Sequence, residues 1–283
     1  MMERRKFGSV AEPVAAIGQG SWRLERASEA QAIASLRRGL DLGLTHIDTA
    51  EMYGDGAAER TIGKAIAGRR DEVFLVSKVL PGNASRRGTI QACENSLRRL
   101  GVERLDAYLL HWRGRHPLAE TIAAFQQLEQ QGKIAAWGVS NFDVADLEEV
   151  AAIAGAGHPV CNQVLYHLAE RAIEHDVIPW CERHGTAVVA YTPFGVDPRL
   201  FDGTSAGARV LREIAAVHDS TPRQVALQFL LRRPGCFAIP KAADLRHVEQ
   251  NAGALRFRLT EAQEQQISTA FPLGSRPRTL PMI

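Results

Sequence analysis

Apolar and polar positions along this chain fall into blocks. Eight short apolar runs recur: 14–17, 44–47, 73–76, 107–110, 136–139, 159–161, 187–190 and 237–240. Nearly every run ends in polar residues, and helical periodicity fills the intervals. Continuous apolar runs suit strands covered on both faces, and strands alternating with helices imply a parallel sheet. Eight units repeating at about 30 residues predict an α/β fold, a TIM-type (β/α)8 barrel. Residues near 6–10 and 14–17, on either side of Ala11-Glu12-Pro13, predict a short N-terminal β-hairpin before or merging into the first barrel strand.

The helix boundaries are signed by polar chemistry. Ser28 with Gln31 and Thr260 with Gln263 have capping-box spacing. Thr221-Pro222 opens a helix over 221–233, with Val225, Leu227, Phe229, Leu230 and Leu231 as its core stripe. A helix over 86–100 ends in Arg98-Arg99-Leu100-Gly101, basic residues and then glycine. Further helices are expected near 118–131, 143–154 and 170–184. The last interval is longer and carries a polar segment, 195–207, expected as a loop on the functional rim.

No linker or composition shift divides the chain, so residues 1–283 are expected to form one domain. A net charge of +2 argues against nucleic acid as the main partner. No apolar run approaches membrane-spanning length, and Met1–Lys6 leads into no secretion signal. A cytoplasmic protein without a membrane partner is expected, and a monomer, since nothing demands an interface. Cys93, Cys161, Cys181 and Cys236 lack metal or redox spacing, so no metal is expected.

Barrels of this type do chemistry at the C-terminal ends of their strands. Asp48, Tyr53, Lys78 and His111 stand at or just after three consecutive strand ends. A free tyrosine is a poor acid, with a pKa of ~10, and an adjacent ammonium lowers that value. A buried lysine needs a carboxylate, which Asp48 supplies. A histidine across the pocket can bond a substrate oxygen. Together they form a proton donor and an oxygen-binding site, suited to carbonyl reduction. No side chain supplies hydride, so a nicotinamide cofactor is implied. Singly, Asp48 also reads as a turn cap, Tyr53 as a turn residue, Lys78 as a solvent-reaching chain and His111 as a half-buried histidine.

The motifs Thr45–Gly54, Val76–Lys78, Leu109–Trp112, Gly138–Phe142, Asn162-Gln163, Tyr191–Gly195 and Ile239–Lys241 resemble the aldo-keto reductases in order and spacing. The resemblance covers nearly the whole chain. It implies reduction of aldehydes or ketones, with Tyr53 as general acid, Lys78 and Asp48 as its tuning pair and His111 orienting the carbonyl. A subgroup likeness points to small 2-oxoaldehydes of the methylglyoxal kind. For the cofactor it implies Tyr191 against the nicotinamide ring and Ser140, Asn141 and Gln163 at its carboxamide. Thr192, Phe194 and Gly195 begin the pyrophosphate loop; separately, the turn expected at Gly18-x-Gly20 brings Ser21 near the cofactor. Lys241 would meet the 2′-phosphate, and Gln250 and Asn251 the adenine. Ser140 and Asn141 also read as caps of the next helix, and Gln163 as a partner for a strand-end backbone group.

Two positions depart from the family pattern: Ala242 where a hydroxyl is usual, and His247 where an arginine is usual. A neutral histidine offers a phosphate only a hydrogen bond, so NADP(H) is favoured over NAD(H) mainly through Lys241. Trp22, Tyr53, His111 and Trp112 are expected to form the substrate wall, with Arg113 or Arg115 drawing anions or standing solvated. Gly18-x-Gly20 lacks the third glycine of a dinucleotide fingerprint and is expected as the turn after the first strand. Two other classes stay open: a nicotinamide-binding regulatory subunit with little turnover, and a dehydrogenase working towards oxidation.

Overall fold

Ten strands and eleven α-helices follow one another along the computed structural model, which describes residues 2–155 and 157–283. The first two strands, β1 (Arg4–Arg5) and β2 (Val14–Ala15), form an antiparallel hairpin. The remaining eight are parallel neighbours in chain order: β3 (Gln19–Gly20), β4 (His46–Asp48), β5 (Phe74–Val79), β6 (Ala107–Leu110), β7 (Trp137–Ser140), β8 (Cys161–Leu165), β9 (Ala187–Tyr191) and β10 (Cys236–Ala238). Parallel bridges from Ile17 to Ala238 and from Gly20 to Lys241 join the first barrel strand to the last.

That closing seam explains Gly20. Its N–H donates to the Pro240 carbonyl at 3.2 Å, and a Cβ at Gly20 would stand 2.5 Å from the Ile239 carbonyl oxygen. The Gly18-x-Gly20 pair is therefore not a turn after the strand. Gly20 lets the two outermost strands approach closely, while a Cβ at Gly18 would stand 2.7 Å from the His46 carbonyl oxygen of β4. The apolar run at 14–17 gives the second hairpin strand at its start, and the barrel seam begins at its end, where Ile17 bridges to Ala238.

The helices α1 (Glu29–Asp41), α2 (Ala57–Ile66), α3 (Arg86–Leu100), α4 (Leu118–Gln130), α5 (Val144–Ala154) and α6 (Val177–His184) follow successive strands. Then come α7 (Arg199–Asp202), α8 (Ala206–Val217), α9 (Pro222–Leu230), α10 (Leu245–Gly253) and α11 (Glu261–Ala270). Capping boxes close the starts of α1, α9 and α11 through Ser28, Thr221 and Thr260. The expected 170–184 helix splits into a 3₁₀ turn at Ala172–Glu174 and α6. The expected 195–207 loop contains α7, one turn long.

The core has two parts. One lies between the helices and the outer faces of the strands. The other gathers Val76, Leu109, Cys161, Val189, Phe237 and Ile239 with Phe7 and Val14 of the hairpin segment. Phe7 packs on His46, Phe74 and Phe237, all at strand starts. The hairpin segment thus plugs the N-terminal mouth, leaving the opposite mouth for chemistry. Full burial of a phenylalanine stabilises by about 2–3 kcal/mol.

Candidate active site

At that opposite mouth lies a cleft of about 600 Å³. The strand register sets Gly20 opposite Asp48, Ser140 opposite Gln163 and Leu165 opposite Tyr191 near the strand ends. Asp48, Tyr53, His111, Ser140, Asn141, Gln163 and Tyr191 all line this cleft. Lys78 lies behind them, fully buried.

Lys78 Nζ donates to Asp48 Oδ1 at 2.6 Å and to the Thr49 carbonyl at 2.8 Å. Gln163 Nε2 donates to the other oxygen, Asp48 Oδ2, at 2.7 Å. The ammonium lies 5.1 Å from the centre of the Tyr53 ring. Burial opposes the Lys78 charge, but Asp48 and Tyr53 outweigh it and hold the ammonium above the ordinary lysine value. Burial pushes the Asp48 carboxyl up, against Lys78 and Gln163. At neutral pH the two are an ion pair.

The Tyr53 phenol departs from the sequence-based expectation. Burial raises its pKa above the ordinary tyrosine value, Lys78 works against this, and Asp48 adds to it. The phenol is therefore protonated throughout the physiological range. Neighbouring His111 meets the Tyr53 ring edge-on, with ring centres 5.8 Å apart. Burial, helped by the Lys78 charge, lowers the His111 pKa to about 2. A neutral imidazole can bond a carbonyl oxygen but does not serve as the acid at neutral pH. Its Nδ1 is buried without a protein partner.

Other side chains shape the rest of the cleft. Tyr191 donates its hydroxyl to Asn141 Oδ1 at 2.9 Å, and Asn141 Nδ2 donates to the His111 carbonyl at 3.1 Å. Asn141 is not a helix cap: α5 is capped by Asp143, whose side chain accepts from the Asp146 N–H. Asn141 (φ 61°) and Thr192 (φ 51°) are left-handed, which turns the chain sharply at the rim. Ser21 Oγ is buried and unpartnered where it meets the cleft, an orphan that a bound ligand would satisfy. Trp22, Trp112, Thr192, Phe194, Gly195 and Lys241 also line the cleft.

The structure does not bring every expected residue there. His247, Gln250 and Asn251 lie on α10, outside the cleft lining. His247 is exposed, Asn251 is buried, and the Gln250 carbonyl accepts from Gln224 Nε2. Arg113 is held by Asp146 at 2.9 Å and Glu149 at 2.7 Å rather than offered to a substrate. Arg23 and Arg26 reach the cleft unforeseen. Arg23 stacks on Trp22 at 4.2 Å. No periodicity or motif marks them; only the seam, which sets residues 20–26 beside Lys241, makes them neighbours.

A closed parallel barrel with an aspartate, lysine, tyrosine and histidine at its C-terminal mouth defines a class of reductase. The sequence profile of the Aldo/keto reductase family matches residues 16–270, and the chain belongs to that family. It is similar to methylglyoxal reductase YeaE of Escherichia coli (strain K12), with 46% identity over 98% of this chain and 97% of that protein. Glyoxal reductase of Bacillus subtilis (strain 168) is 33% identical over 88% of this chain and 86% of its own length. Among solved structures, an aldo/keto reductase from Klebsiella pneumoniae in complex with NADP and acetate superimposes with a TM-score of 0.91. It is 43% identical, over 100% of both chains.

Proposed function

We propose that the protein reduces small aldehydes, 2-oxoaldehydes of the methylglyoxal type among them, to alcohols with NADPH. The observation that carries this reading is the buried Lys78–Asp48 pair beside a protonated Tyr53 and a neutral His111, with Asp48, Tyr53 and His111 lining one cleft and Lys78 directly behind them. The relatives named for methylglyoxal and glyoxal, and the NADP-bound neighbour, support it.

NADPH, when bound, supplies the hydride. Tyr191 would lie against the nicotinamide ring, with Ser140, Asn141 and Gln163 at its carboxamide. Ser21, Thr192, Phe194 and Gly195 would hold the pyrophosphate. Lys241 would meet the 2′-phosphate, and His247, Gln250 and Asn251 the adenosine end. His111 donates a hydrogen bond to the carbonyl oxygen and fixes its direction. Tyr53 gives its proton to that oxygen as negative charge grows there. Lys78 stabilises the phenolate left behind, and Asp48 keeps Lys78 charged. Trp22 and Trp112 form the apolar wall against the rest of the substrate.

Comparing rates in both directions at neutral pH separates this reading from a dehydrogenase working towards oxidation. The reading takes residues 1–283 as one cytoplasmic, monomeric unit acting on a free small molecule. It is tested by a panel of carbonyl compounds assayed with NADPH and NADH separately. Multiple turnover of methylglyoxal with NADPH is expected. Tight NADPH binding without turnover on any aldehyde would overturn it in favour of a regulatory subunit.

A further inference from the structure

Tyr53 lies beyond the last backbone bonds that tie its segment to β5. Those bonds run from the Thr49 N–H to the Val76 carbonyl at 2.9 Å and from the Glu51 N–H to the Lys78 carbonyl at 3.3 Å. Past that point two carboxylates, one on each side of Tyr53 in sequence, take over. Glu51 Oε1 accepts from the Leu80 N–H at 2.7 Å and from Asn83 Nδ2 at 3.0 Å. Glu59, fully buried on α2, accepts from the Ser77 hydroxyl at 2.6 Å through one oxygen and pairs with Arg99 through the other. Helix α2 starts directly from the tyrosine segment, since the Ala58 N–H donates to the Tyr53 carbonyl at 3.3 Å. The Arg99 side chain passes over that start because residue 56 is glycine: a Cβ there would stand 2.4 Å from Arg99 Cδ.

The two anchor points on the β5 side, Ser77 and Leu80, bracket Lys78. The two carboxylates bracket Tyr53. We propose that Glu51 and Glu59 are positioning residues, fastening the Tyr53 segment to β5 on both sides of Lys78 and so setting the approach of the phenol to the ammonium. Neither lines the cleft. A buried carboxylate carries a desolvation cost that apolar packing would avoid, and it offers in exchange short directional bonds that fix register. The phenol needs that register, because it faces Lys78 and Asp48 together with His111 and Tyr191.

The inference rests on Tyr53 being the acid, and its test separates the two. Ser77→Ala removes the hydroxyl but leaves the Glu59–Arg99 pair, and Glu51→Ala removes the second anchor. Ser77→Thr and Glu51→Gln keep a hydroxyl and an acceptor oxygen. For each variant, kcat and KM for methylglyoxal with NADPH are measured, alongside an alkaline absorbance titration of the phenols. Tyr53→Phe identifies the contribution of residue 53. The alanine variants are expected to unfold cooperatively and to lose about ten- to a hundredfold in kcat, with KM changed by less than about threefold. Their Tyr53 titration is expected to move up by about one pH unit as the ammonium recedes. The threonine and glutamine variants are expected to restore both. Wild-type kcat with an unmoved or lowered titration in the alanine variants, or equal losses in the conservative ones, overturns the proposal. An inactive wild type would remove the reductase reading, while the titration would still decide the bracket.

Discussion

Gln163 donates to the one oxygen of Asp48 that Lys78 leaves free, so the buried carboxylate is bonded on both sides. The bond crosses the barrel from β8 to β4 and joins a cleft-lining amide to the charge pair behind Tyr53. Gln163→Leu would leave Asp48 Oδ2 buried without a donor. The expected loss is about 2 kcal/mol, the cost of an unsatisfied buried acceptor. Urea midpoints at constant m-value measure it, and an unchanged midpoint would show that the bond adds nothing net.

Tyr53→Phe removes the proton and little else. Turnover of an aldehyde is expected to fall by about 10²–10⁴, with NADPH affinity nearly unchanged because the ring remains. Fluorescence titration with the cofactor and steady-state assays separate the two quantities. Retention of wild-type turnover would reassign the acid.

Two histidines make the fold sensitive to mild acid. Burial holds His46 at about 3 and His111 at about 2. Both stay neutral in the folded chain, whereas in the unfolded chain they take up a proton below about 6.5. Their contribution is complete above that value and declines as pH falls, by about 2 kcal/mol each at pH 5. Glu174 acts lower. Burial opposes its ionisation, but Arg171, Arg232 and Tyr166 hold its pKa down to about 2, so its contribution is lost only as pH falls from about 4.5 towards 2. Stability is therefore expected to slope downwards already between pH 6.5 and 5. Denaturant midpoints across that range check it, and His46→Leu should make the slope shallower.

Lys241 reaches the cleft without an ion-pair partner among the described residues. Lys241→Ala is expected to weaken NADPH by about tenfold, the loss of one charge-assisted contact, and NADH by far less. Parallel binding titrations with the two cofactors decide it; equal losses would remove the 2′-phosphate role.

The polar strand ends and the eight apolar runs made the barrel and the clustering of Asp48, Tyr53, Lys78 and His111 legible, because both lie within short windows of sequence. Lys78, however, sits inside β5 rather than past its end. The net direction at Tyr53 was not legible, since it depends on how far burial outweighs a neighbouring charge. The hairpin pairs Arg4–Arg5 rather than residues 6–10, because Phe7 turns inward as the plug. Arg23 and Arg26 were invisible, as their role depends on a seam between distant parts of the chain.

That seam has a thermodynamic consequence. Ser21 and Lys241 stand on opposite sides of the Gly20–Lys241 junction, so a dinucleotide held by both would act as a stitch across the join between the first and last staves. Such a ligand binds only the closed form, and saturating it should raise the melting temperature. The hoop that tightens this barrel would be the coenzyme itself.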